Sequence, residues 1–334
     1  MTQKYVILTG ASGFMGSNAL EYFLAHTDWK FICPCSWKHH GAPERILELP
    51  HYDPARVEVI THDLTAPFSE YQINRWLKLG IDYIINIASE SHVDRSIADP
   101  VTFVRNNVDL ALTMLELARV LKTKKFIQFS TDEVYGDTPK GQCFKEWSPV
   151  VPSNPYSASK ACQDDIAISY WRTYRIPLIM TNTMNIISFR QDTEKYLPKI
   201  ISHIMHDKML TIHGKNKQEC GKRHYISANN VAAALLHIIN KVEVDFETEK
   251  PKRFNIVSDT ELNNYELASR VAEIMDKPLK YVFTCTSSIR PGYDKRYCLD
   301  GQKLLDTGFT YPESFDESLK KIVDWYIRHP DWVL

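Results

Sequence analysis

Short apolar runs alternate with longer stretches of helical period through the first half of the chain. Residues 5–9, 31–33, 57–61, 83–87, 126–130 and 178–181 are apolar runs bounded by polar or turn residues. Such runs read as strands buried on both faces. Between them, residues 14–25, 69–79, 101–121 and 156–174 repeat apolar side chains at helical spacing. The alternation predicts an α/β fold with a doubly wound parallel sheet covered by helices on both faces. The last third is less regular. Short strands are predicted at 253–257 and 280–283, and helices at 229–240, 264–275 and 315–327, the last opened by a Ser314/Glu317 capping box. Lys-rich stretches at 213–223 and 240–253 read as loops.

Composition narrows the class. The chain has 334 residues, 44% of them hydrophobic, which is enough for a large core. A net charge of −1 provides no field to draw nucleic acid or an anionic membrane. The apolar runs are too short to span a bilayer, and with a strand at residues 5–9 no signal peptide is expected. Seven scattered cysteines suggest no disulfide framework, and a cytoplasmic location is expected. Cys33-Pro34-Cys35 followed by His39-His40 invites a metal reading. The cysteines stand closer than a structural zinc site spaces them, and a strand cysteine is a small hydrophobe, so no metal is expected.

Gly10, Gly13 and Gly16 follow the first strand and open the first helix. In that context glycines allow a tight turn and close approach of backbone to a pyrophosphate, which lies on the helix N-terminus. A Rossmann-type domain over 1–182 with parts of 225–257 is therefore expected, with a smaller C-terminal substrate-binding lobe from 183–224 and 258–334. An acid that reads the ribose 2′-hydroxyl of NAD is missing after the second strand. Ser36, Lys38 and His39 stand there instead and suit a 2′-phosphate, so NADP is favoured over NAD. Asp63, after the third strand, meets the adenine or caps a helix.

Tyr156 and Lys160 are four apart on one helix face. A neighbouring ammonium lowers a phenol's pKa, so the pair reads as the base for a hydroxyl proton during hydride transfer. Thr131, at the end of the fifth strand, can hydrogen-bond the same hydroxyl. Asp132 and Glu133 follow it directly. Acids there often cap a turn, but strand C-termini are also where open α/β sheets bind ligands. One acid as proton donor beside one as base points to water elimination.

These residues carry a resemblance. Thr9–Gly16, Glu90-Ser91-His92-Val93-Asp94-Arg95-Ser96, Asn106-Asn107-Val108, Ser130-Thr131-Asp132-Glu133-Val134-Tyr135-Gly136, Pro152–Lys160 and Arg290-Pro291-Gly292-Tyr293 resemble the nucleotide-sugar 4,6-dehydratases of the extended short-chain dehydrogenases. The dTDP-glucose type is most similar. The resemblance implies that Tyr156 takes the sugar 4-hydroxyl proton while Lys160 holds the cofactor ribose. It implies that Glu133 removes the C5 proton and Asp132 protonates the departing 6-hydroxyl. Cofactor contacts are implied for Ser12, Phe14, Met15, Leu64, Ala88 and Asn107. Substrate contacts are implied for Ser91, His92, Asn185, Glu194, Lys195, Tyr196, Arg223, Arg290 and Tyr293. A homodimer through a four-helix bundle of helices 101–121 and 156–174 is also implied.

The chain departs from the family pattern at Asn185-Ile186-Ile187-Ser188-Phe189, at Tyr293 and at the missing ribose acid. A 4-epimerase, a 5,6-dehydratase and a non-catalytic dinucleotide sensor remain as alternatives.

Overall fold

Seven parallel strands form the main sheet in a computed structural model, which describes residues 3–38, 41–284 and 294–333. In chain order, the strands of all sheets among the described residues are β1 (Tyr5–Thr9), β2 (Lys30–Cys35), β3 (Val57–Thr61), β4 (Tyr83–Asn86), β5 (Lys125–Thr131) and β6 (Leu178–Thr183), then β7 (Asn185–Ile187), β8 (Leu210–His213), β9 (Lys222–Ser227), β10 (Lys252–Ile256), β11 (Glu261–Asn263) and β12 (Tyr281–Thr284). The main sheet runs β10-β6-β5-β4-β1-β2-β3. Its order turns back between β1 and β4, the topological switch point where such sheets open a crevice at their carboxyl ends.

Helices Phe14–His26 and Ala228–Lys241 cover one face of the sheet, burying Leu20, Phe23, Val231 and Leu235. Helices Glu70–Leu79, Pro100–Leu121 and Pro155–Tyr174 cover the other, with Trp76, Met114, Leu115 and Trp171 in its core. Each helix begins where the sequence permits. Ser69 and Gln72 form a capping box, and Asn154 caps the helix that carries Tyr156 with proline in its first turn. A third apolar cluster gathers helices Tyr196–Met205, Asn264–Met275 and Phe315–Arg328 around Ile200, Leu267 and Tyr326. Two small sheets, β11-β9-β7 and β12-β8, adjoin it.

The strand expected at 253–257 is β10, the edge of the main sheet, paired in parallel with β6. Two differences from the sequence reading have physical causes. The loop expected at 213–223 runs into β9, whose polar residues pair with β11 and β7. Cys143 and Cys298, 155 residues apart, are joined by a disulfide, against the expectation of no such linkage. The bridge between Phe144 and Leu299 sets these two segments side by side, which spacing along the chain could not show.

Candidate active site

The strand ends and the glycine turn enclose a cleft of about 400 Å³. Gly10 has φ +74°, and a Cβ on it would lie 3.0 Å from the Ala88 nitrogen. A Cβ on Gly16 would lie 2.0 Å from the Gly10 oxygen, which no relaxation of backbone accommodates. At Gly13 the only near neighbour is the Gly10 oxygen, so its missing side chain leaves room on the cleft side. Helix Phe14–His26 has no side-chain cap. Its first N–H groups are therefore available to an anion. This cradle fits a dinucleotide pyrophosphate.

Ser12, Phe14, Met15, Ser36, Lys38, Asp63, Leu64 and Ala88 line the same cleft. Asn107 does not reach it. Fully buried, it accepts from the Glu90 N–H at 2.8 Å and donates to Ser159 at 2.9 Å, fixing the wall behind the cleft. The Lys38 ammonium pairs with Asp63 and holds that carboxyl at about 2. The cation expected to meet a 2′-phosphate is thus answered by the protein's own carboxylate, and NADP gains no support from it. His39 lies outside the described residues.

The proposed chemical groups meet at the end of β5. The Thr131 hydroxyl donates to Asp132 Oδ1 at 2.9 Å and accepts from the Glu133 N–H at 3.3 Å, and Tyr156 lines the cleft beside them. Asp132 Oδ2 is buried without a hydrogen-bond partner. Burial, followed by the Glu133 charge, pushes the Asp132 carboxyl up to about 7. Glu133 itself lies 3.4 Å from the Asn154 amide and 3.5 Å from the Tyr297 hydroxyl.

Tyr156 and Lys160 are buried together, but the structure corrects the expected coupling between them. Burial and then the Glu133 charge raise the Tyr156 phenol well above its ordinary value. The Lys160 ammonium donates to the Phe129 carbonyl at 2.7 Å and to Gln163 at 2.6 Å, and burial pulls it down to about 8.

On the substrate side, Ser91, Asn185, Glu194 and Lys195 line the cleft. His92 caps helix Val93–Ala98 through Nδ1, and its Nε2 lies 3.3 Å from Glu194. Tyr196 points away and donates to the Asn264 carbonyl at 2.9 Å. Arg223 is also outside the lining. Its guanidinium donates to the Asp294 carbonyl at 2.8 Å and lies over the Tyr297 ring, bracing the segment beside Glu133. Arg290 and Tyr293 fall outside the described residues.

Sequence reasoning missed Arg45, Arg95, Asn106, Gln191 and Asp192 in the lining. Arg95 and Asn106 stood inside motifs already singled out. Arg45 sits in a four-residue helix with no periodicity to mark it, and it reaches Asp192 at 2.7 Å. Among the described residues no three His, Cys, Asp or Glu side chains converge as metal ligands.

The GDP-mannose 4,6 dehydratase family profile matches residues 7–322. A dTDP-glucose 4,6-dehydratase of Haemophilus influenzae is 31% identical over 96% of this chain and 97% of its own. The low-salt glycan biosynthesis protein Agl12 of Haloferax volcanii is 31% identical over 96% of this chain and 98% of its own. Among solved structures, DesIV, a dTDP-glucose 4,6-dehydratase from Streptomyces venezuelae with NAD and TYD bound, superposes with a TM-score of 0.85. It shares 27% identity, with 98% of both chains covered. The chain belongs to the nucleotide-sugar 4,6-dehydratase family of the extended short-chain dehydrogenases, enzymes of the hydro-lyase class.

Proposed function

We propose that this enzyme converts a nucleoside-diphosphate hexose of the dTDP- or UDP-glucose type to the 4-keto-6-deoxy sugar nucleotide. The observation that carries the reading is the gathering of Thr131, Asp132, Glu133 and Tyr156 at one strand end, with Asp132 able to hold a proton near neutrality. A nicotinamide dinucleotide held by the glycine turn would supply the hydride chemistry at C4 and C6. Tyr156 receives the 4-hydroxyl proton. Glu133 takes the proton from C5, which the 4-ketone makes acidic. Asp132 delivers a proton to the departing 6-hydroxyl. Gly10, Gly13 and Gly16 hold the pyrophosphate by backbone, and Lys160 holds the ribose. Ser91, Asn185, Glu194 and Lys195 surround the sugar nucleotide.

NAD fits the ribose edge better than NADP, because Lys38 and Asp63 already neutralise each other. Titration of both dinucleotides into stripped protein is expected to show tighter NAD binding. Tighter NADP binding would restore the sequence expectation. The reaction itself is tested by incubating the enzyme with a panel of hexose nucleotides and weighing the products. Loss of one water without net reduction is the expected outcome. Altered stereochemistry at constant mass would replace the reading with a 4-epimerase, and no change would leave a dinucleotide sensor.

A further inference from the structure

A row of buried polar side chains crosses the sheet beneath the cleft and ends on Lys160. Thr9 on β1, Asn86 on β4, Gln128 on β5 and Gln163 on helix Pro155–Tyr174 are each 1% exposed or less. Strand pairing sets the first three abreast, Thr9 opposite Asn86 and Asn86 opposite Gln128. Strands buried on both faces ordinarily carry apolar residues there, and a buried amide costs free energy unless its groups are paired. The proposed reaction uses none of these four side chains.

One end of the row fixes the direction of the rest. The Thr9 hydroxyl oxygen accepts the Ile87 and Ala88 N–H groups, both at 3.0 Å, which uses its lone pairs. Its hydrogen goes to Asn86 Oδ1 at 2.9 Å. The Asn86 amide then donates to Gln128 Oε1 at 3.0 Å, and the Gln128 amide to Gln163 Oε1 at 3.4 Å. The Gln163 amide nitrogen donates to the Asn107 carbonyl. Gln163 is thereby held with its oxygen towards Lys160, whose ammonium donates to it at 2.6 Å and to the Phe129 carbonyl at 2.7 Å. An amide turned the other way would set two donors against each other.

We propose that Gln163 is a positioning residue for Lys160: with the Phe129 carbonyl it takes two of the three ammonium protons and leaves the third for the ribose of the dinucleotide. This rests on the role given to Lys160 above. Lys160 lines the cleft, and among the described residues its ammonium has no third hydrogen-bond partner. A lysine stem is flexible and its donors rotate, so two fixed acceptors are what give the third proton a direction. The same row reaches the glycine turn, because Thr9 precedes Gly10 and holds the Ala88 backbone that packs on Gly10. Among charged and titratable groups, the ammonium feels Asp164 on its own helix, which Arg253 of β10 pairs. It shares the cleft wall with Tyr156, Asp132 and Glu133.

The test is calorimetric titration of NAD into the full chain freed of bound dinucleotide, from about pH 6 to about pH 10. Wild-type affinity is expected to fall roughly tenfold as pH rises through about 8, where Lys160 loses its charge. Lys160→Met is expected to bind weakly at every pH. Gln163→Met removes the acceptor at similar volume. It is expected to bind NAD roughly tenfold more weakly than wild type near neutrality, with its fall displaced to lower pH, because an ammonium that loses an acceptor gives up its proton more readily. Gln163→Glu keeps the acceptor oxygen and adds a charge, so its fall is expected at higher pH. A Met variant that binds like the wild type overturns the proposal. So does a loss equal at every pH, which is what a packing defect alone would give. If the Met variant does not fold, the Glu variant decides, and an unchanged or lowered midpoint overturns the proposal. A wild type as indifferent to pH as Lys160→Met would take the ribose role from Lys160 and the proposal with it, a result distinct from any confined to the Gln163 variants.

Discussion

Asp132 is the residue whose surroundings decide most. Its ordinary carboxyl value is 3.8, and burial with the Glu133 charge raises it to about 7. The folded protein thus holds a proton that the unfolded chain releases. Below about pH 3.8 both states are protonated and the site carries no penalty. As pH rises towards 7 the unfolded chain ionises first, and folding loses stability, on the order of 4 kcal/mol at the upper end. Asp132→Asn removes the charge, so it should melt higher than wild type at pH 8, with the gap shrinking as pH falls towards 4. A gap that does not change with pH would mean that the carboxyl is not shifted. Glu133→Gln keeps the shape but not the base. It should slow water loss roughly 10²–10⁴-fold and abolish solvent-deuterium incorporation at C5. Water loss at the wild-type rate would reduce the Asp-Glu pair to a turn cap.

At the scale of elements, the helix that carries Tyr156 and Lys160 must stay in register with β5. One buried contact ties it to the sheet edge. Arg253 on β10 reaches Asp164 at 3.1 Å, both side chains are nearly inaccessible, and the Trp147 ring covers the guanidinium. Asp164 also accepts from Ser130, next to Thr131. Removing the cation strands a buried carboxylate. Arg253→Met should therefore cost about 3–5 kcal/mol in urea unfolding, and adding Asp164→Leu should return much of it. If the single substitution costs no more than a surface change, the pair does not anchor the helix. The sequence marked this helix clearly by its period, its cap and its Tyr/Lys spacing. It did not mark Arg253 or Gln163, because their meaning depends on what crosses them from another strand.

At the scale of the molecule, helix Pro100–Leu121 has more apolar surface than one sheet uses. Ala111, Leu115 and Ala118 are buried, while Val104, Val108 and Leu112 stay partly open and Val101 is 59% exposed. Helix Pro155–Tyr174 runs beside it and is joined to it by a hydrogen bond from Tyr170 to Glu116. We propose that this face pairs with a second copy. Light scattering should give a dimer at micromolar concentration, and Val108→Glu with Leu112→Glu should give a folded monomer. A wild-type monomer would end the proposal. Among the described residues no helix is long and apolar enough to cross a membrane.

The sequence by itself determined the elements of the parallel sheet and placed the glycine turn, the Asp-Glu pair and the Tyr/Lys pair at the cleft. Both are written in local patterns: apolar runs at strand ends, glycines after β1, Tyr and Lys one helical turn apart. These patterns stand because backbone conformation and periodicity depend on neighbours along the chain. Only the tertiary structure decided what each charged group faces. Lys38 looks like a phosphate ligand until Asp63 is beside it. Arg223 looks like a diphosphate ligand until its guanidinium is seen holding backbone carbonyls. Tyr156 looks set by the lysine one turn on until its burial and the Glu133 charge are seen to raise it. Charge, burial and proton affinity are set by contacts between residues far apart in the chain, and no reading of spacing contains them.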